Sequence, residues 1–313
     1  MASIKTIKKR KDTIESTGKI TRAMKLVATV KLQKSKQRAE ESIPYFDAMY
    51  EVAQEIASKS KNTIDILSSN LNLKPNAKKL VIAITSNRGL AGGFNNNIVK
   101  KITQEEYFSP KDTAIMAVGK KGLEGFVRKG YEIRGEFTDA VETIEYVDAM
   151  NIANEAAKLF VSGQVSELYL VYSYFKNTVV HIPRVMKLFP LDVLTNPSTI
   201  GKDDEELLEA RKKAFQMRES KYQNDNLLIM NYEPSAPEAL NELLFQYFTA
   251  IIYGALVASN AAENGARMNA MDNATKNSED MAQKLNVQFN RARQGAITNE
   301  LTEIISGANA INQ

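Results

Sequence analysis

From Glu238 to Ile311 the chain runs without a proline and with only widely spaced glycines, so it reads as one uninterrupted helix. Apolar or small residues recur at helical spacing through Leu240, Leu244, Tyr247, Ile251, Ala255, Ala258, Ala262 and Ala266. They continue less regularly through Ala270, Ala274, Met281, Leu285, Ala292 and Ala296. At about 1.5 Å per residue such a helix is roughly 110 Å long, against a diameter of about 50 Å for a compact chain of this size. A single globule cannot contain it. Beyond Ala266 the stripe is mostly alanine and the other faces are polar, so this half is expected to pack narrowly, against one close helix. The expectation is a rod with something attached.

Residues 3–41 supply the obvious partner, with Ser3 as N-cap and Ile4, Ile7, Ile14, Ile20 or Thr21, Met24, Ala28 and Leu32 on one broad face. Pro44 is expected in the first turn of a following helix, with a kink near Ser42 and Ile43. The arm is strongly basic. Positions 1–38 hold nine Lys and three Arg against Asp12 and Glu15, a net of about +10, although the whole chain carries only +4. Three readings stay open: a solvated face, binding of nucleic acid or anionic lipid, and docking on an acidic protein surface. The absence of aromatics between Met1 and Glu41 weakens the nucleic-acid one.

Composition narrows the chemistry. With no cysteine, the chain has no disulfide, thiol switch or thiolate metal site, and its single histidine offers little for metal binding or imidazole catalysis. No cofactor and no metal are expected. There is no run of eighteen apolar residues, and MASIKTIKKRKD has no apolar signal core, so the expectation is a soluble, intracellular protein with no direct membrane insertion.

Between the long helices the pattern changes. After a connector at 63–76, KKLVIAIT (78–85) has the continuous β-branched character of a buried parallel strand. TAIMAVG (113–119), YEIRGEF (131–137) and ELYLVYSYF (167–175) read as further strands, with helices at 93–107, 120–129 and 148–163 between them. That alternation implies an α/β layer with a mostly parallel sheet. TVVHIPRVMKLFPL (178–191) fits an antiparallel edge strand, because Pro183 cannot donate to a ladder, with His181 on it as an ordinary structural residue. A loop at 195–206, a helical stretch from Glu205 to Ser220 and a last strand at 226–235 precede Pro237, which opens the long helix. The domains are therefore 1–62, N-terminal shaft helices; 63–235, an inserted Rossmann-like α/β domain; and 236–313, the C-terminal helix. The fold class is α/β plus a long antiparallel coiled coil.

SNRGLAGGFNNN (86–97) follows the first strand and precedes a helix, where α/β proteins hold phosphates. Its spacing is neither G-x-G-x-x-G nor G-x-x-x-x-G-K-[ST]. Gly89, Gly92 and Gly93 then serve positive φ or close approach in a tight turn. Ser86 lacks a nucleophile elbow, His181 has no evident partner, and the carboxylates lie at solvent-face spacings. Nothing in the sequence forms a catalytic site.

The stretches KITRAMKLVATVKL, ITSNRGLAGGFNNN, NYEPSAPEAL and ARMNAMDNAT, and above all the closing ITNELTEIISGANA with Ile297, Thr298, Glu300, Glu303, Gly307 and Ala308, resemble the gamma subunit family of F-type ATP synthases. The resemblance covers essentially the full length. It implies a non-catalytic subunit, the rotor shaft of a proton-translocating ATP synthase. Its terminal helices would form an antiparallel coiled coil entering a ring of alpha and beta subunits, with the α/β domain at the foot beside the epsilon subunit and the c-ring. Met24, Lys25, Arg267, Arg293, Gln294 and Thr298 match positions where the shaft meets the beta subunits. The tip, with Ile304, Ile305, Gly307, Ala308 and Ala310, matches the upper bearing.

Some features depart from the family. Residues 196–226 exceed the shorter bacterial members, and Asn87 and Ala91 stand where many members have Asp and Cys. A chain without cysteine cannot have the redox switch of plastid members. A start at Met1 without an Arg-rich, Ser-rich presequence favours a bacterial protein, peripheral on the cytoplasmic side of the plasma membrane. The alternative is a basic coiled-coil protein binding nucleic acid or serving structural assembly.

Overall fold

The computed structural model describes residues 4–59, 73–190 and 236–311. The loop expected at 195–206, the helix after it, the strand at 226–235 and the long 196–226 region lie outside the described residues, as does the connector up to residue 72. In chain order the elements are α1 (Ile4–Lys59), β1 (Lys78–Ile84), α2 (Phe94–Thr103), β2 (Thr113–Val118), α3 (Lys120–Arg128), β3 (Glu132–Phe137), α4 (Ala140–Thr143), α5 (Tyr146–Val161), β4 (Val165–Phe175), β5 (His181–Phe189) and α6 (Ala236–Ile311), with a short 3-10 turn at Glu106–Phe108. They divide into two compact units, residues 29–267 and residues 1–28 with 268–313.

In the 29–267 unit a five-stranded sheet has the order β3-β2-β1-β4-β5, parallel except for β5. β1 lies at the centre and is buried on both faces, which is why its sequence is apolar without alternation. Leu80, Ile82 and Ile84 face one side, in a core shared with Phe46 and Met49 of α1, Ile152 of α5, and Leu244, Phe248, Ile251 and Ile252 of α6. Val81 and Ala83 face the other, against Ile98 and Ile102 of α2 and Phe126 of α3. β5 is the expected antiparallel edge, with Pro183 opposite Ser173.

This packing also explains the composition of α6. The helix contains an apolar stretch long enough to cross a membrane, but most of it is buried within the fold. It is apolar because it covers the sheet. Pro44 does not open a second helix as expected: α1 runs continuously from Ile4 to Lys59 with Pro44 inside it. An interior proline costs a helix about 3 kcal/mol. Here Phe46 and Met49, just beyond it, are buried in the core, and Ser42 bonds back to the Arg38 carbonyl at 2.7 Å.

In the other unit, α1 and α6 pair antiparallel. Lys25 meets Asp272 at 2.6 Å, the Thr21 and Thr275 hydroxyls meet at 2.8 Å, and Lys11 donates to Asn286 at 3.1 Å. A Cβ added to Gly18 would lie 3.3 Å from that of Ser278, so the two backbones are close there. The shielded positions of α1 up to Ala28 are Ile4, Ile7, Lys11, Ile14, Gly18, Thr21, Met24, Lys25 and Ala28; all but Met24 follow a seven-residue repeat, in which several seam positions are polar. Ile20, 61% exposed, lies off the seam and Thr21 takes its place. On α6 the seam passes through Met271, Thr275, Ser278, Ala282, Leu285, Phe289 and Ala292, while Met281 and Ala296 are exposed. Met281 falls outside the stripe because the repeat places its neighbour Ala282 there.

Candidate functional site

The partner-contact residues named from the sequence fall into both units. In the paired-helix unit, Met24 and Lys25 are half-buried on α1, and Lys25 is held by Asp272. Lys25 and Lys276, both hydrogen-bonded to Asp272, bring its carboxyl down to about 2. Arg22 pairs with Glu279. Arg293, Gln294 and Thr298 stand exposed near the end of α6, where Thr298 donates to the Gln294 carbonyl at 2.9 Å. Ile297, Leu301, Ile304 and Ile305 are also exposed, on a stretch with no facing helix among the described residues of this unit. Gly307 is exposed. Ala308 and Ala310 lie in the helix, their side chains outside the described residues.

Arg267 belongs to the 29–267 unit and is embedded in a local network. Its Nη2 donates to Glu263 Oε1 at 2.6 Å, and to the carbonyls of Arg88 at 3.5 Å and Gly89 at 3.4 Å. These carbonyls belong to the glycine-rich turn after β1. Glu263 is only 7% exposed, and burial raises its pKa even though Arg267 opposes the shift. The pair borders a cleft of about 300 Å³, where Lys31, Lys34 and Arg38 of α1 approach Arg88, Arg267 and Glu142. Sequence reasoning missed Glu263, although an acid four residues before an arginine on one helix is a legible signal.

The turn itself is built as a packing device. Asn95 accepts from the Ser86 amide at 2.9 Å and donates to the Ser86 hydroxyl at 2.8 Å, while that hydroxyl donates to the Arg88 carbonyl at 2.7 Å. Ala91 and Phe94 bury against Ala262 of α6. Of the three glycines singled out, only Gly92 has positive φ, at 54°. Gly89 has open space around it, and Gly93 is in ordinary helical geometry. The left-handed residue beside Gly92 is Leu90, φ 62°, with its side chain exposed. The close approach comes later, at Gly119 and Gly122. A Cβ there would lie 2.4 Å from the Thr85 carbonyl oxygen and 2.5 Å from Thr85 Oγ1, and that Oγ1 accepts the Gly122 amide at 2.9 Å.

His181 opens β5 and packs on Phe175, ring centroids 5.9 Å apart. Its Nε2 is buried with no hydrogen-bond partner among the described residues, and burial pushes its pKa down. Among the described residues no group of three or more His, Asp or Glu side chains could hold a metal ion.

A family model described as ATP synthase matches residues 3–311. The ATP synthase gamma chain of Lachnoclostridium phytofermentans is 47% identical over 312 residues, covering 100% of both chains. That of Alkaliphilus metalliredigens is 38% identical and covers 97% of each. The sodium ion specific gamma chain of Acetobacterium woodii is 36% identical over 99% of each. Among solved structures, the central stalk and c-ring of the Tetrahymena thermophila mitochondrial ATP synthase superposes with a TM-score of 0.54 at 24% identity, covering 82% of this chain and 99% of that one. The rotor of the Euglena gracilis mitochondrial ATP synthase gives 0.60 at 14% identity, covering 94% and 98%. At these identities the structural likeness speaks to the fold.

Proposed function

The chain belongs to the gamma-chain family of ATP synthases, and from that membership we infer that it is the rotor shaft coupling c-ring rotation to the sequential conformational changes of the catalytic beta subunits. The observation that carries this is full-length relatedness to gamma chains, in a chain whose two long helices pair antiparallel around a seam interrupted by small and polar residues. Its partners are the alpha and beta subunits of the catalytic ring, the epsilon subunit and the c-ring. Nucleotide chemistry belongs to the beta subunits, and this chain is a non-catalytic component of the complex. The complex is a bacterial one, with this subunit peripheral on the cytoplasmic side of the plasma membrane. Residues 1–62 and 236–313 make the shaft, and 63–235 its foot.

Within that role, Met24, Lys25, Arg267, Arg293, Gln294 and Thr298 meet the moving segments of beta, and Ile304, Ile305, Gly307, Ala308 and Ala310 form the upper bearing. Exposure of Arg293, Gln294, Thr298, Ile304 and Ile305 supports this, as does the fit of an arginine fork to carboxylates. The nucleic-acid reading of the basic arm is not favoured, because Lys11, Arg22 and Lys25 are engaged by Asn286, Glu279 and Asp272 within the chain.

The test is co-expression with matching alpha and beta subunits, purification through a tag on beta, and comparison of ATP hydrolysis with and without this chain. Co-purification at fewer copies than beta with stimulated turnover is expected; failure to join the ring or to alter the rate overturns the assignment. A single exposed contact is worth at most about 1 kcal/mol, so Gln294→Ala should slow turnover or weaken assembly without abolishing either; Arg267→Ala should do so too, with the added cost of leaving the buried Glu263 unpaired.

A further inference from the structure

Glu263 is a carboxylate on the buried face of a helix, an expensive position for a charge unless it is paired. Its partner Arg267 lies one turn along α6, and the remaining reach of Arg267 Nη2 goes to the Arg88 and Gly89 carbonyls. One amino group of the guanidinium thus serves three acceptors inside the chain. Nε and Nη1 make no hydrogen bond among the described residues. The cleft that Arg267 lines sets Lys31, Lys34 and Arg38 of α1 and Arg88 of the turn against Glu142 and Glu263, so its cations outnumber its carboxylates and the local field favours an incoming anion over a second cation.

We propose that Glu263 is the positioning residue of Arg267: it fixes one edge of the guanidinium against α6 and the Arg88–Gly89 turn, and leaves the Nε and Nη1 edge held ready for a carboxylate of a partner subunit. This rests on the reading of Arg267 as a contact to the beta subunits. An arginine on an unrestrained stem must lose rotamer freedom each time such a contact forms. With Glu263 in place that ordering is complete before the partner arrives. The same bond ties α6 to the turn, so the guanidinium and the turn present themselves as one surface.

The experiment is a double-mutant cycle in the assembled alpha–beta–gamma complex, using Glu263→Gln, Arg267→Ala and the two together, with maximal ATP hydrolysis rate as the readout. Glu263→Gln keeps the shape and removes the charge. Expected is a loss of about threefold for each single variant, with the double variant no slower than Arg267→Ala alone, because coupled residues fail to add. A double variant slowed by the product of the single losses overturns the inference, since Glu263 then acts independently of Arg267. If Arg267→Ala turns over like the unaltered complex, the contact reading of Arg267 itself falls, and the inference with it. Should Glu263→Gln not assemble, Glu263→Asp, which keeps the charge but loses reach, replaces it in the same cycle with the same two opposing outcomes.

Discussion

His181 is the only histidine in the chain, and its ring is wedged between Phe175 and the backbone of α6 at Gly265. Burial holds its pKa below the ordinary value of 6.5, so on acidification the unfolded chain takes up the proton first. The stabilising difference is therefore intact above about pH 6.5 and is lost as pH falls below it. Glu263, whose pKa is raised, acts in the opposite direction, so the comparison must be between variants: urea titrations at pH 7.5 and 5.5 should show less acid-dependent loss in His181→Gln than in the unaltered chain. Gly265 supplies a second prediction at this scale. A Cβ there would lie 2.7 Å from the Phe175 ring and 2.9 Å from His181 Nε2, so Gly265→Ala should cost about 1–3 kcal/mol in the same titrations. A purely local reading of the sequence marks Gly265 only as a helix weakener. What requires it is a strand residue some ninety positions away, and that is invisible until the sheet and α6 are brought together.

Among the elements, β1, β2 and β4 were legible nearly to their ends, because they are buried on both faces and announce themselves as apolar runs; the helix expected at 93–107 stops at Thr103, and the short α4 was not expected. The long helices were legible in existence and largely in register: Ile4, Ile7, Ile14, Thr21, Met24, Ala28 and Leu32 of α1 are shielded, while on α6 Met281 and Ala296 are exposed. What no apolar count selects in the α1 seam is Lys11, Gly18 and Lys25: Lys11 and Lys25 bond to Asn286 and Asp272, and Gly18 lies against Ser278. The helix start expected at Pro44 failed for a related reason, since turn chemistry is a local preference and the burial of Phe46 and Met49 is not. Pro44 is exposed on a continuous helix, so Pro44→Ala removes a helix fault without losing packing. It should raise stability by about 1–3 kcal/mol, measured as a shift of the unfolding midpoint.

At the scale of the whole molecule, burial is distributed unevenly. The core of residues 29–267 contains the large apolar side chains of the sheet and of the first half of α6. The paired helices of the other unit meet through a seam in which small and polar residues interrupt the large apolar ones, most of which are only half-buried. Local opening costs least where few apolar groups are buried. Hydrogen exchange should therefore be slowest in β1, β2 and β4 and in α6 between Leu244 and Ala262, and fastest from Phe289 to Ile311. The opposite order would mean that the seam is far stronger than its chemistry indicates. The assignment as a shaft was legible from the closing motif, whereas the Glu263–Arg267 arrangement needed the turn to be seen beside α6.

The unpartnered end of α6 also affects what becomes of a copy that never finds its complex. Beyond Ala292 the helix has no facing segment among the described residues of its unit, and it displays Ile297, Leu301, Ile304 and Ile305 to water. A solitary helical end gains little from propensity alone and melts readily, and exposed ends are where proteases begin. Arg291 and Arg293 stand at its base. Orphan copies should thus be clipped there by trypsin while assembled copies resist. The same tail would then mark unassembled copies for proteolysis.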